Sequence, residues 1–460
     1  KAIMSVGQPK TTERGTQSIR SLLLKYAMPG IIAMTAMSLY NMVDSIFIGH
    51  GVGAMALSGL TIAKPFMDIC AAFGTLVGVG ASSLVAIKLG EKDYRSANDV
   101  LANVVLLNVL LGALIMVVGL YFLDPILYAF GASDVTIEYA RDYMEIILWG
   151  NILTHIYYGL NSMLRSMGHP KISMYATILA VALNVILDPI FILVWDMGVR
   201  GAALATILSQ FVAVIVELVI FLNPKEVIHF HRGIWRLKKD ITMRALSIGM
   251  APFLMHLAAC FVVIVLNNQL KQYGDDMAIA TFGITNRFIF FFVMIVMGIQ
   301  QGMQPIVGYN YGAKLYDRML RAFKLSVYCA TCVMSCLFLF GEIWPEGFIR
   351  LFTHDEVLIA QSIAPARIML AVMFAIGFPM ITGNFYTSIG MAPKAIFLSL
   401  TRQVLFLIPL IIGLPLLFEQ IGWSPIWGVW WSWPISDALS VITAAFVINR
   451  DMRKFKFVNS

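Results

Sequence analysis

The sequence has few charged residues for its length. Only 13% of its 460 residues are Asp, Glu, Lys or Arg, whereas a soluble domain of average composition carries about 25%. Hydrophobic residues make up 59% of the chain, which is more apolar surface than one globular core can bury. This composition excludes a soluble enzyme, a collagen, a disordered polymer and a secreted disulfide scaffold, and it indicates an integral membrane protein.

Residues that support redox, metal or nucleotide chemistry are also scarce. The five cysteines all lie in apolar segments, at Cys70, Cys260, Cys329, Cys332 and Cys336. Although Cys329 and Cys332 have the spacing of a metal or redox motif, no histidine is near them, so we interpret them as small buried hydrophobic residues. No Gly-x-x-x-x-Gly-Lys-Ser/Thr phosphate loop occurs. We therefore expect no enzymatic activity, no resident cofactor and no dedicated metal site.

Long hydrophobic runs are abundant. A bilayer core about 30 Å thick requires about 20 apolar residues in each crossing helix. Reading such runs between charged residues, glycine and proline gives twelve segments and predicts an all-α protein with twelve transmembrane helices. The segments are 22–49, 54–88, 97–123, 137–167, 172–195, 201–222, 243–270, 278–311, 321–343, 357–389, 395–418 and 427–449.

The basic residues predict the orientation in the membrane. Of the 33 Lys and Arg residues, 25 fall in the two termini and in the connections that share their side. The opposite connections carry only Arg200, Lys271 and Arg350. Because cytoplasmic loops carry the excess of positive charge, both termini are predicted to be cytoplasmic. The net charge of +7 then reflects topology and attraction to anionic lipid, and we expect no nucleic-acid partner.

The chain is organised as a duplication. The longest polar interruption, 223–240, separates six predicted spans in 1–222 from six in 241–460. Its basic and aromatic residues are typical of an amphipathic cytoplasmic linker. We therefore expect an amino-terminal six-helix bundle, a linker and a carboxy-terminal six-helix bundle.

Short motifs recur in the second half with an offset of 222 to 224 residues. Ala56-Leu-Ser-Gly59 matches Ala280-Thr-Phe-Gly283, and Gly90-Glu-Lys-Asp-Tyr94 matches Gly312-Ala-Lys-Leu-Tyr316. Since each half contains six crossings, both halves start on the same side and are related by a pseudo-two-fold axis along the membrane normal. Two such bundles leave a cleft between them, an architecture typical of alternating-access transporters.

Two carboxylates at membrane depth are the first candidate site. Inserting an ionisable residue into the membrane costs at least about 2.5–3.5 kcal/mol. Such a residue is therefore a candidate for a functional role. Asp44 lies in span one and Asp188 in span five, both about 10 Å below the outer surface at 1.5 Å per residue. Tyr40 and Asn184 each lie four residues before one of these aspartates, on the same helix face.

Two further groups extend this candidate site. Thr206 in span six reaches a similar depth, and Pro189 leaves a backbone carbonyl without its helical partner. Together these oxygens form a site that can hold H⁺ or Na⁺. The alternative is that each aspartate braces a helix kink. The second half has Ile408 and Val404 where the first has Asp188 and Asn184, so the duplicated fold does not require these polar groups.

A second set of residues is predicted to line the central cleft. Lys64 and Asp68 in span two are four residues apart, and Arg287 in span eight occupies the equivalent repeat position of Ala63. The pair either neutralises itself along the helix or contacts substrate. Met37 and Tyr40 suit a pliable binding wall.

Three more ionisable residues lie inside predicted spans. Arg402 and Asp437 fit a structural pair as well as they fit a substrate contact. Glu217, near a cytoplasmic helix end, is predicted to extend towards the membrane surface.

Residues 20 to 450, which contain the features described above, resemble the multidrug and toxic compound extrusion family. The resemblance is strongest to the prokaryotic branch that includes the DinF and MepA proteins. The following motifs carry the resemblance. They are Leu39-Tyr-Asn-Met-Val-Asp-Ser-Ile-Phe-Ile-Gly49, Gly78-Val-Gly-Ala-Ser82 followed by Leu89-Gly-Glu-Lys-Asp93, Leu164-Arg-Ser-Met-Gly168, Asn184-Val-Ile-Leu-Asp-Pro189, and Arg402-Gln403 with Pro409.

The resemblance implies a V-shaped cleft and export of amphipathic, mostly cationic drugs in exchange for H⁺ or Na⁺. It adds Asn161 to the cation site of Asp44, Asn184, Asp188 and Thr206. It further implies bending of the helices at Pro29 and Pro189 during the transport cycle. A monomer in the bacterial inner membrane is expected.

Two other functions remain as alternatives. A lipid-linked precursor flippase of the same broader superfamily would have about fourteen spans and a strongly basic cavity. A passive channel or a scaffold that transports nothing is a further alternative.

Overall fold

The structure is a computed structural model that describes residues 13–231, 233 and 235–458. Three of the basic residues used to predict orientation, Lys1, Lys10 and Arg232, lie outside the described residues. Throughout the part that the structure describes, the regular elements are helices and no strand occurs. The predicted all-α fold is therefore confirmed.

Eleven helical segments of the described chain are long and apolar enough to cross a membrane. The remaining predicted span, α4, is divided at Gly150 into two shorter helices, so all twelve predicted segments are helical. The spans are α1 (Ile19–Gly51), α2 (Ala54–Gly90), α3 (Tyr94–Tyr121), α4 (Ile137–Trp149 and Asn151–Ser166), α5 (Pro170–Pro189), α6 (Val199–Leu222), α7 (Lys239–Tyr273), α8 (Asp276–Gly312), α9 (Tyr316–Ile343), α10 (Glu356–Leu370 and Gly377–Ser388), α11 (Ala392–Leu400 and Ile408–Ile421) and α12 (Pro425–Val458).

The internal repeat is visible in the small elements between the spans. A short helix, Leu123–Ala129, joins α3 to α4, and its counterpart Pro345–Phe352 joins α9 to α10. The turns before α3 and α9 also correspond, because Lys92 and Lys314 both have a φ of 60°. These two lysines occupy the same place in the repeated Gly-x-Lys-x-Tyr motif, so the sequence repeat corresponds to a repeat in the backbone.

The two halves of the chain pack tightly at one end. We refer to α1–α6 as the N bundle, to α7–α12 as the C bundle, and to the face on which α1 begins and α12 ends as the basic face. A methyl group added to Gly80 on α2 would lie 1.8 Å from the Ala245 carbonyl oxygen on α7. One added to Gly249 on α7 would lie 1.8 Å from the Leu76 carbonyl oxygen on α2. Only glycine permits this close approach of the two bundles.

Away from the basic face the two bundles separate. Lys64 and Asp68 on α2 and Arg287 on α8 have exposed side chains. A methyl group on Gly283, in the same half of α8, would meet nothing within 4 Å. This accessible surface fits the predicted cleft between the bundles, with its opening on the face opposite the basic face.

A segment ahead of α1 joins the two bundles. Arg14 is fully buried, and its Nη1 donates a hydrogen bond of 2.6 Å to the carbonyl oxygen of Ser166 in the N bundle. The Arg14 carbonyl oxygen accepts from Asn310 Nδ2 at 3.0 Å and from Arg318 Nη2 at 3.1 Å, both in the C bundle. This segment therefore holds the bundles together where they are closest.

The connection between the bundles is attached to α3. Asn98 on α3 donates to the carbonyl oxygen of Val227 at 3.0 Å and accepts from the backbone N–H of His229 at 3.0 Å. Further along, Lys238 Nζ contacts Asp99 Oδ2 at 2.5 Å. The connecting segment thus packs on the N bundle up to the residue that precedes α7.

Candidate cation-binding site

Four polar side chains gather inside the N bundle. Asp44 lies on α1, Asn184 and Asp188 lie on α5, and Thr206 lies on α6, and all four are buried. The carboxyl groups of Asp44 and Asp188 lie close enough to interact directly. Two carboxylates this close require a shared proton or a bound cation to offset their repulsion.

The Asn184 amide connects Asp188 to Thr206. Its hydrogen-bonding partners assign the orientation in which Nδ2 faces Asp188 and donates to Oδ1 at 3.2 Å and to Oδ2 at 3.1 Å. In this orientation Asn184 Oδ1 accepts from the Thr206 hydroxyl at 3.0 Å. Asp44 Oδ1 has no hydrogen-bond partner among the described residues, so one carboxylate oxygen remains available to a ligand.

Two tyrosines border the carboxylates. The hydroxyl of Tyr40, which had been predicted from its helix face, lies 3.4 Å from Thr206 Oγ1. The hydroxyl of Tyr143 on α4 lies 3.6 Å from Met67 Sδ and within electrostatic range of both aspartates. No pattern in the sequence pointed to Tyr143, because its proximity depends on how α4 packs against α6.

The helix that carries Asp188 changes its winding immediately after the site. Pro189 is the last residue of the regular part of α5, and the chain continues through a wider π-helical turn at Ile190–Val194. Such turns often lie at functional sites. Pro29, the other proline expected to permit bending, lies inside α1 next to the crossing with α8 at Gly30 and Gly298.

Asn161, which the family resemblance added to this site, makes its hydrogen bonds elsewhere. Its Nδ2 donates to Thr177 Oγ1 at 3.2 Å and to Glu217 Oε1 at 3.3 Å, and its Oδ1 accepts from Arg165 Nη1 at 2.7 Å. These partners lie in the half of the N bundle near the basic face. Asn161 is thus part of a separate polar cluster there.

The prediction that Glu217 extends towards the membrane surface is wrong. Its side chain is fully buried in the N bundle, where it contacts Asn161 of α4. The sequence places Glu217 near a helix end, but it does not show that α4 and α5 cover this face of α6.

The cleft residues lie apart from the carboxylates. Lys64 Nζ is 3.8 Å from Asp68 Oδ1, and this pair faces α7, where Cys260 and His256 lie within electrostatic range. Arg287 is exposed on α8, and Met37 is half-buried on α1. The structure therefore brings Lys64 and Asp68 together as an ion pair along one helix, on the surface of the cleft.

Arg402 and Asp437 form an ion pair in the C bundle. Arg402 Nε donates to Asp437 Oδ1 at 2.7 Å, and Asp437 is fully buried. The guanidinium also lies over the Trp433 ring, 6.0 Å from its centre. This geometry supports structural pairing.

The donor set limits which cations the site can hold. Within the described residues, no group of three or more His, Cys, Asp and Glu side chains converges. The oxygens of Asp44, Asp188, Asn184 and Thr206 suit a proton or a hard monovalent cation, and they lack the soft or nitrogen ligands that transition metals prefer.

Comparison with known proteins identifies the family. The profile of the MatE family matches residues 29–190 and 241–412, one match in each half of the chain. The chain belongs to the MatE family. Proteins of this family are membrane transporters and not enzymes, so this chain is a multi-pass membrane transporter and its carboxylates have no role in enzymatic catalysis.

Known relatives of this MatE transporter are similar along nearly the whole chain. The multidrug export protein MepA of Staphylococcus aureus (strain NCTC 8325 / PS 47) is 26% identical over 431 residues, covering 93% of this chain and 92% of the relative. MepA of Staphylococcus haemolyticus (strain JCSC1435) is 27% identical over 433 residues, covering 94% and 93%.

Solved structures show the same fold. The MATE multidrug transporter DinF-BH, solved in complex with a ligand, is 36% identical, with a TM-score of 0.88 over 96% of this chain and 98% of that one. A MATE protein in a bent conformation is 23% identical, with a TM-score of 0.90 over 99% of both chains. The predicted relationship to the DinF and MepA branch of the MATE family is confirmed.

Proposed function

We propose that this MATE transporter is a secondary active multidrug efflux antiporter. It acts as a monomer in the bacterial inner membrane, with the basic face in the cytoplasm. It exports amphipathic, mostly cationic organic compounds in exchange for H⁺ or Na⁺. The names of the MepA relatives and the ligand complex of the multidrug transporter DinF-BH support a drug-like substrate.

The observation that carries this proposal is the contact between Asp44 and Asp188. The two carboxyls are buried in the N bundle, whereas the cleft lies between the bundles. A cation bound at the carboxyls and a drug bound in the cleft therefore occupy different sites. Coupling between such sites requires that each ligand favours a different arrangement of an element they share, and α1 lines both.

In the proposed cycle, a cation enters from the open face and binds between Asp44 and Asp188. Binding offsets the repulsion of the carboxylates and bends α1 at Pro29 and α5 at Pro189. The affinity of the cleft for drug falls, and drug leaves on the outer side. The bundles then rearrange so that the cation is released into the cytoplasm.

The Asn184 amide favours a proton as the coupling ion. In the orientation described above, its nitrogen faces Asp188 and its oxygen is occupied by Thr206. Na⁺ would require the amide oxygen to turn towards the carboxylates, because cations are coordinated by oxygen lone pairs. A proton shared by two carboxyls needs no such rotation.

Efflux assays on Asp44→Asn and Asp188→Asn test the proposal. We expect both variants to lose gradient-driven export, because an amide cannot exchange a proton or supply a negative charge. Asp196→Asn, an exposed aspartate beyond the end of α5, serves as the matched control and should transport like the wild type.

The experiment is best performed in proteoliposomes with pH and Na⁺ gradients imposed separately. Transport driven by only one gradient identifies the ion. Wild-type export by both Asn variants at normal expression would contradict the proposal. The comparisons do not favour the flippase alternative, and drug counterflow in vesicles would exclude both the flippase and a passive channel.

A further inference from the structure

A second buried carboxylate lies in the N bundle, well away from Asp44 and Asp188. Glu217 on α6 is fully buried and lies eleven residues after Thr206. At 1.5 Å per residue this separation is about 16 Å along the helix, towards the basic face. Glu217 therefore belongs to a different part of the bundle from the cation site proposed above.

The contacts of Glu217 leave one of its oxygens unsatisfied. Oε1 accepts from Asn161 Nδ2 at 3.3 Å, whereas Oε2 has no hydrogen-bond partner among the described residues. Arg165 reaches the glutamate through Asn161, whose Oδ1 accepts from Arg165 Nη1 at 2.7 Å. A buried carboxylate with a free oxygen and an indirect counter-ion is costly in its charged form.

The surroundings of Glu217 favour a proton over any other cation. From α4 it is faced by Arg165 and Tyr157, and from α5 by Ser173 and Thr177, whose hydroxyls bind Asn161 and Tyr157. Arg165 already supplies a positive charge to this small cluster. A metal cation bound beside it would meet repulsion, whereas a proton neutralises Glu217 without adding a second ion.

Buried polar side chains lie in two rows between the two carboxylate regions. On α5 the row consists of Ser173, Thr177, Asn184 and Asp188, and on α6 of Thr206, Ser209 and Glu217; all are buried. Spacings of three, four, seven and eight residues place each row on one helix face. Both rows lie inside the N bundle, and the buried Ala180 and Ala213 interrupt them between the two carboxylate regions.

We propose that Glu217 is a second proton-binding group, which exchanges protons with the basic face while Asp44 and Asp188 exchange them with the opposite face. The helices α5 and α6, which hold Asp188 and Glu217, carry the coupling between the two carboxylate sites. This inference rests on the proposed antiport function and adds the route by which the proton leaves. Protons and drug then follow separate paths through the molecule.

Infrared difference spectroscopy of the purified protein tests this directly. The spectrum is recorded between alkaline and acidic Na⁺-free buffers, where protonation of a carboxylate produces a carboxyl C=O band. We expect Glu217→Gln to lack one band present in the wild type. The double variant Asp44→Asn/Asp188→Asn should retain that band and lose others.

Glu342→Gln is the matched control. Glu342 is a partly buried glutamate of a spanning helix in the other bundle, at the far end of α9, so its replacement should leave the Glu217 band in place. A folded Glu217→Gln variant with the wild-type spectrum would overturn the proposal. If this variant does not fold, Asn161→Leu keeps the carboxyl but removes its donor, and an unchanged band would overturn the proposal equally.

Transport assays separate this inference from the proposed function. Glu217→Gln should lose uptake driven by a pH gradient while keeping drug counterflow at equal pH. Wild-type uptake by this variant would overturn the role of Glu217 alone. Wild-type uptake by the Asp44 and Asp188 variants would instead overturn the antiport mechanism, whatever the infrared result.

Discussion

Buried carboxylates in this protein differ in what neutralises them. Asp437 contacts a guanidinium directly, at 2.7 Å from Arg402 Nε. Asp188 faces a second carboxyl and an amide, and Glu217 reaches its arginine only through Asn161. A direct counter-ion offsets the charge of Asp437, whereas Asp188 and Glu217 have no guanidinium of the described residues in direct contact. The proposed exchange of a proton or cation therefore concerns the carboxylates of the N bundle and not Asp437.

The first residue-level prediction concerns the Arg402–Asp437 pair. Asp437→Ala should lower the free energy of unfolding by about 3–5 kcal/mol, because it leaves the partly buried Arg402 charge without a partner. The double variant Asp437→Leu/Arg402→Met should recover most of that loss. Thermal unfolding of the purified variants measures both effects. Equal losses in the single and double variants would contradict the structural interpretation of the pair.

Counting residues from helix ends predicted how deep the polar groups lie. It was less successful in predicting which residues surround them. It placed Asp44 and Asp188 at one level, and the structure brings their carboxyls into contact. It failed for Glu217, because burial on α6 depends on the helices packed against that face. The partners of Asn161 were not predictable for the same reason, since they come from α4, α5 and α6 together.

At the level of helices, the starts of α3 and α9 illustrate what the repeat keeps and what it loses. Asp93 precedes α3 and accepts from the backbone N–H of Ser96 at 3.2 Å, whereas the equivalent Leu315 before α9 makes no cap. This hydrogen bond lowers the pKa of the Asp93 carboxyl. The stabilisation is therefore present at neutral pH and lost as the pH falls through the lowered pKa of the folded state.

Asp93→Ala should accordingly destabilise the first turn of α3 by about 1 kcal/mol. Hydrogen exchange of the peptide that contains Ser96 should become faster than in the wild type at neutral pH. Asp93→Asn keeps an acceptor for Ser96 and should exchange more slowly than the Ala variant. At a pH low enough to protonate Asp93, the wild type should exchange no more slowly than Asp93→Asn. Identical exchange in all three proteins would exclude the cap.

The sequence predicted the positions of the twelve spans to within a few residues but not their interruptions. Hydrophobic runs determine where the chain crosses the membrane, and each predicted span has its counterpart. The break in α4 at Gly150, and the π-helical turns at Ile190–Val194 and Thr401–Leu407, lie inside segments that were each predicted as one uninterrupted span. Such changes in winding depend on neighbouring helices, so composition does not reveal them.

For the whole molecule, glycine contacts hold the two bundles close together at the basic face. A methyl group at Gly80 would overlap the Ala245 carbonyl oxygen of the other bundle, and its nearest neighbours all belong to α7. Replacement of this glycine therefore disturbs the contact between bundles and leaves the packing within each bundle intact. We therefore expect this replacement to shift the equilibrium between conformations in which the bundles are close together and conformations in which they are apart.

Gly80→Ala should separate the bundles at the basic face. In a cysteine-free background, spin labels at Glu91 and Lys314 should show a longer distance in this variant than in the parent. Gly413→Ala is the control, because a methyl group there meets nothing within 4 Å. An unchanged distance distribution in the Gly80 variant would show that the bundles tolerate the added methyl group without moving apart.

The position of Arg14 has a practical consequence for handling this transporter. Its guanidinium and its carbonyl group bond to opposite bundles, so a purification tag or fluorescent protein fused shortly ahead of it would pull directly on their junction. The last helix, α12, packs within the C bundle alone. Fusions after α12 should therefore report transport faithfully, whereas fusions at the other end would alter the activity that they are meant to measure.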